Sequence, residues 1–146
     1  MPNQVVSDPF SRASLRQALN NWSNVIKLGQ HPLTQTNIVY HHHQKSRRPN
    51  TPPLLGLSLR EVLRAAIDQM GNGPETNQRN KKLYRLRQIL VQEFVHGEEP
   101  YAVALSLNMP ERTYQENRAL ALEELASILI EIEDTLDRNS RAGHLP

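Results

Sequence analysis

Arg112, Gln115 and Glu116 are the residues whose types and spacing point to chemistry. They fall near the start of a helix read from about Glu111 onward. An arginine can pair bidentately with guanine, a glutamine with adenine, and a glutamate accepts from the cytosine amino group. That is the chemistry of reading base edges in a major groove. Thr113 and Arg118 on the same helix complete the expected DNA-facing set, although Arg118 also falls near the apolar side. Arg79, Lys81, Lys82 and Arg85, at the start of the preceding helix, are expected to hold phosphates and supply a salt-dependent share of affinity. The same four cations also fit a solvated helix face paired with the acidic last helix. Lys45, Arg47 and Arg48 suit either a loose basic arm or a plain soluble loop.

No other stretch carries a comparable signal. There is no Gly-rich phosphate loop, His-Glu-x-x-His or serine nucleophile elbow. Neither a catalytic residue nor a cofactor is expected. Adjacent His41, His42 and His43 cannot easily ligate one ion and have no carboxylate or cysteine nearby at metal-ligand spacing. They are expected on an exposed loop, with no metal site. Trp22 is expected in the core, and His96 at a helix C-terminus, where a cation is mildly favourable.

The elements that must position the Arg112 group are helical. Leu15, Leu19, Trp22 and Ile26 recur at spacings of three and four, so one helix is expected over 11–28, ended by Gly29 and Pro32. Leu33, Ile38 and Val39 are too few to decide between a short helix and an extended piece. Residues 44–57, rich in proline and charge, are expected as an irregular linker. Ser58 with Glu61 reads as a capping box opening a helix whose stripe is Leu59, Val62, Leu63, Ala66, Ile67 and Met70. A polar loop is expected from Gly71 to about Arg79. Leu83, Leu86, Leu90, Val91 and Phe94 define a helix over 80–95, closed by Gly97. Pro100 opens a short helix carrying Val103, Ala104 and Leu107.

Asn108 follows, tolerant of the left-handed conformation that a tight turn needs. Met109 plugs the core and Tyr114 anchors the next helix, which is expected to reach about Leu136. Helix, short helix, tight turn and helix is the layout of a helix-turn-helix. Ile130, on the otherwise polar side of the last helix, suggests that its distal half meets a partner.

The stretch VALSLNMPERTYQENRALALEEL resembles the helix-turn-helix of the fourth region of sigma factors. Ala104, Leu107, Asn108, Met109, Thr113 and Tyr114 match that pattern in order. Residues 12–130 are also similar to a domain of green non-sulfur bacteria, through LRQAL from Leu15, HPL from His31, LREVLRAAI from Leu59 and RTYQENRALALEEL from Arg112. The resemblance implies a DNA-binding or signalling module, often joined to NTPase or regulatory domains. Three positions depart from the pattern. Pro110 replaces a capping serine, at a cost of about 1 kcal/mol. Gln115 replaces an aromatic residue, and Glu116 stands where arginine or serine is common.

Charge is unevenly distributed along the 146 residues. Positions 98–137 hold ten acids and two bases, whereas positions 1–97 hold five acids and thirteen bases. The asymmetry fits either a polyanion partner or charge complementarity between packed segments. With no cysteine, no membrane-length apolar run and no secretion signal, a cytoplasmic protein is expected.

The expected fold is all-α, a small helical bundle with a C-terminal helix-turn-helix and a long last helix. An N-terminal helical segment over 11–43 precedes the linker, and a helical domain over 58–137 holds the helix-turn-helix at 80–130. Residues 1–10 and 138–146 are expected to be disordered. The expected partner is double-stranded DNA, bound by a homodimer in transcriptional control. The rivals are an adaptor that holds a protein partner such as a signalling NTPase, and an accessory factor of a mobile element.

Overall fold

The computed structural model describes residues 8–73 and 77–143. The fold is all-α, with no strand among the described residues. Helices α1 (Arg12–Asn20) and α2 (Val25–Gly29) lead through a 3₁₀ turn (Pro32–Gln35) into α3 (Asn37–Ser46). Helix α4 (Pro52–Asp68) follows, then α5 (Gln78–Leu90), continued by a π-turn (Val91–Val95). Helices α6 (Pro100–Ser106) and α7 (Glu111–Gly143) close the chain.

The helix expected over 11–28 is two helices. Ser11 caps α1 by accepting from the Ser14 N–H, and Asn24 restarts the chain by accepting from the Lys27 N–H. Two caps with an asparagine break between them outweigh the continuous apolar spacing. Leu15 and Leu19 are buried, Trp22 is half-buried, and Ile26 points to solvent. Leu33, Ile38 and Val39, undecided in the sequence, are all buried on the 3₁₀ turn and α3.

His31 joins these pieces. Its Nδ1 accepts from the Leu33 N–H at 3.1 Å, and its Nε2–H donates to the Ser14 carbonyl at 3.1 Å. Burial pushes its pKa below the usual histidine value, against the smaller opposing effect of the Ser14 hydrogen bond.

The irregular linker expected over 44–57 is mostly helix. Only residues 47–51 separate α3 from α4, which starts at Pro52. Two prolines in a first turn need no N–H partners and bring a preset φ. Ser58 therefore lies inside α4, fully buried, and does not cap it. Its Oγ meets His43 Nδ1 at 2.8 Å and accepts from Arg48 at 3.1 Å. Glu61 accepts from Arg48 at 2.7 and 3.1 Å and from His42 at 2.8 Å.

The histidines expected on a loop thus belong to α3, with His43 buried and its Nε2–H donating to the Pro49 carbonyl. No group of side chains among the described residues has the makings of a metal site. The hydrogen bonds from Arg48, more than those from His42, hold the Glu61 carboxyl down at about 2.

Helix α4 is the centre of the bundle, with Leu59, Val62, Leu63, Ala66 and Ile67 buried. It crosses α2 backbone to backbone. A Cβ on Gly56 would overlap the Val25 carbonyl, and one on Gly29 would overlap the Pro52 carbonyl. Gly29 therefore does more than end a helix.

Helix α7 extends past Leu136 to Gly143, so the tail expected to be disordered from 138 is helical to that point. The expected disorder of residues 1–7 and 144–146 lies outside the described residues, while Phe10 packs on the core. The distal half of α7 has work within its own chain. Glu133 accepts from the backbone N–H groups of Asn37 and Ile38, both at 3.0 Å. It thereby caps α3, whose own Thr36 makes no side-chain cap. Asn37 Nδ2 donates to Asp137 at 2.9 Å.

Two stability outcomes follow. Gly56→Ala should lower stability by about 2–3 kcal/mol, the scale of overpacking a close crossing, read as the urea midpoint. Glu61 has a folded pKa below its unfolded 4.5, so its stabilisation is complete above that pH and fades as pH falls toward 2. Glu61→Gln should cost about 1 kcal/mol at neutral pH, discounted for partial exposure, and the gap to the wild type should close in acid.

Candidate nucleic-acid interface

The interface is assembled by a turn. Helix α6 opens at Pro100 and buries Val103 and Ala104. It closes when Asn108 adopts the left-handed conformation, with φ of 56°. The Met109 N–H then donates to the Ala104 carbonyl at 2.9 Å, and the Asn108 N–H to the Leu105 carbonyl at 3.1 Å. This pair of bonds is a Schellman motif, with asparagine where glycine is usual. Helix α7 starts at once, its first bond running from the Tyr114 N–H to the Pro110 carbonyl at 2.9 Å.

The first turns of α7 divide cleanly. Arg112, Thr113, Gln115 and Glu116 are exposed, and the Arg112 side chain is 93% accessible. Arg112 Nε stands 3.5 Å from Glu116, an i,i+4 pair on the open surface. Tyr114 is buried, and its hydroxyl donates to Glu93 at 2.5 Å. Burial, reinforced by that carboxylate, pushes the Tyr114 pKa far up.

Arg118 does not belong to the outward set. One turn beyond Tyr114, it faces the same way, and its Nη1 donates to both Glu93 oxygens at 3.1 and 3.2 Å. The guanidinium lies 5.8 Å from the Tyr114 ring centroid. The two charged side chains are 12% and 9% exposed. Arg118 is thus an anchor of α7, and the expectation that it meets DNA is corrected.

Glu93 is the residue that motif reading missed. It sits three residues after Leu90 and seven after Leu86, so a carboxylate falls on an otherwise apolar face. That misplaced charge was the available signal. The π-turn widens the backbone there, with the His96 N–H reaching the Val91 carbonyl at 2.8 Å, and Phe94 still enters the core.

Arg79, Lys81, Lys82 and Arg85 are exposed on α5, and none makes an ion pair with a described residue. The expected pairing of these four with the acidic last helix is therefore not seen among the described residues. They precede Glu93 by eight to fourteen positions, about 12–21 Å along the helix at 1.5 Å per residue. The structure gathers four of the α7 residues on one face and leaves the α5 cations as a second patch. Lys81 and Arg85 line a depression with Gly71, Asn72 and Tyr84, separate from the turn at Asn108.

Acids surround the α7 face. Glu98, Glu99, Glu111 and Glu116 are exposed, with Arg112 and Arg16 as nearby exposed cations. Comparisons of the chain with protein-family models, curated proteins and solved structures return no match. No helix among the described residues is long and apolar enough to cross a membrane.

Glu93→Gln should destabilise the protein by about 3 kcal/mol in urea, because it leaves the Arg118 charge buried without its partner. Arg118→Gln alone should cost a similar amount. The double variant should lose at least about 1 kcal/mol less than the sum of the single losses. Strict additivity would mean that the pair does not interact.

Proposed function

We propose that this protein binds double-stranded DNA as a transcriptional regulator, laying the first turns of α7 in the major groove. One observation carries the reading. The left-handed turn at Asn108 leaves Arg112, Thr113, Gln115 and Glu116 facing outward while Tyr114 and Arg118 face inward. A fixed helix with an open polar side is what base reading requires. Arg112 is assigned to guanine, Gln115 to adenine and Glu116 to a cytosine amino group. Arg79, Lys81, Lys82 and Arg85 are assigned to phosphates, as a second contact patch apart from the α7 face.

A short helix-turn-helix gains affinity by pairing, so the reading includes a homodimer and an operator with two half-sites. The inner side of distal α7 is taken up by α3, which leaves the partly exposed Ile130 for that contact.

A second reading, an adaptor for a protein partner, is favoured by a different observation. Tyr101 and Leu105 on α6 are 77% and 69% exposed. Apolar side chains this open, next to the turn, suit a protein surface better than a phosphate backbone.

Fluorescence anisotropy with duplexes selected from a random pool separates the two readings. The wild type should bind, with affinity falling steeply as salt rises. Arg112→Glu should weaken binding at least about tenfold, the scale of one lost base contact. Lys81→Gln with Lys82→Gln should flatten the log–log salt dependence by about 2 for two phosphate contacts. Absence of binding at low salt, or an Arg112→Glu variant that binds as well as the wild type, would overturn the DNA reading in favour of the adaptor.

A further inference from the structure

We infer that the groove between α6 and the start of α7 is a docking site for a basic amphipathic helix of another protein. The groove, about 380 Å³, is walled by Tyr101 and Leu105 and floored by Ala104, Met109 and Tyr114. Tyr101 and Leu105 are the most exposed of the large apolar side chains described, and they stand one turn apart on the same side of α6. Neither supports the core, since the buried face of α6 is Val103 and Ala104. An apolar pair at i,i+4 beside a second helix is the surface that takes the i, i+3 and i+4 side chains of a docked helix.

Charge identifies the occupant. Glu99 and Glu111 line the groove, and Glu98, also exposed, immediately precedes Glu99. Arg118 at the groove is neutralised by Glu93, and Arg112 beyond it lies 3.5 Å from Glu116 on the open surface. Exposed Arg16, which lines the neighbouring depression with Glu98 and Glu99, is outnumbered by the acids. The rim is therefore anionic around an apolar floor, and complementarity calls for lysine or arginine flanking leucine-like side chains. The groove needs little rearrangement to receive such a helix, because α6 is tied to the turn by the Met109–Ala104 bond and α7 is separately held on the π-turn by the Tyr114–Glu93 bond. Docking here rests on the protein-partner reading of Tyr101 and Leu105. Because Glu111, Tyr114 and Gln115 of α7 also line the groove, a docked helix and a duplex would compete for the start of α7.

The test uses the full chain and two synthetic helical peptides. Both carry leucines at i, i+3, i+4 and i+7, one flanked by lysines and the other by glutamates. Amide chemical-shift mapping should place the basic peptide at residues 99–115, with affinity at least about tenfold above that of the acidic peptide. Tyr101→Ser and Leu105→Ser, both at exposed positions, should each weaken it by about tenfold while leaving the rest of the spectrum intact. Glu111→Lys should weaken it as well. Shifts lying elsewhere, equal binding of the two peptides, or insensitivity to Leu105→Ser would overturn the assignment. So would sedimentation of the free protein as a dimer that Leu105→Ser dissolves, because the occupant would then be a second copy of this chain.

Discussion

One carboxylate sets the attitude of the longest helix. Glu93, on the π-turn that ends α5, receives the Tyr114 hydroxyl and the Arg118 guanidinium from successive turns of α7. Apolar contacts between two helices tolerate sliding and rotation, but three charge-assisted hydrogen bonds in a buried site do not. Rotating α7 far enough to bury Arg112 would pull Tyr114 and Arg118 off Glu93. The outward position of Arg112, Gln115 and Glu116 is thus a consequence of what lies beneath them. The π-turn is part of the same device, because it admits one additional residue and lets Glu93 reach α7 while Phe94 remains in the core.

The remaining helices form the platform on which this tie rests. Backbone contact at Gly29 and Gly56 fixes α2 on α4, and Glu133 of α7 caps α3. The first and last thirds of the chain therefore hold each other. Charge complementarity between the basic and acidic parts is real but local. Arg12 stands 3.7 Å from Glu123 on an exposed surface, while Arg48, Arg64 and Arg87 pair with acids of their own region. The cations of α5 and the acids beside the Asn108 turn stay apart as separate surfaces. That separation is why one small domain supports both a polyanion-facing reading and a surface for a basic partner.

Much of the helical half was legible. The Asn108 turn, Pro100 at the start of α6, Gly97 after the π-turn and the inward Tyr114 each follow from a local rule about φ, a missing N–H or side-chain spacing. The errors came where a local rule met a long-range contact. Ser58 and Glu61 have the spacing of a cap, yet they serve His43 and Arg48 across the bundle from within a helix. The proline-rich stretch read as linker because proline breaks helices, but prolines at its first two positions begin one. Three neighbouring histidines looked like a loop because nothing nearby shows that one of them reaches Pro49 and Ser58. The spacing of Arg118 suits either face of α7, and its side is decided by Glu93 on a different helical segment, which local spacing does not reveal.

The central claim is that Glu93 holds the start of α7 in place. Amide hydrogen exchange of the Glu93→Gln variant, compared with the wild type, tests it most directly. The account predicts lost protection concentrated in residues 103–118, with α4 still protected to its former level. Protection lost evenly through every helix, or unchanged around Tyr114, would contradict it.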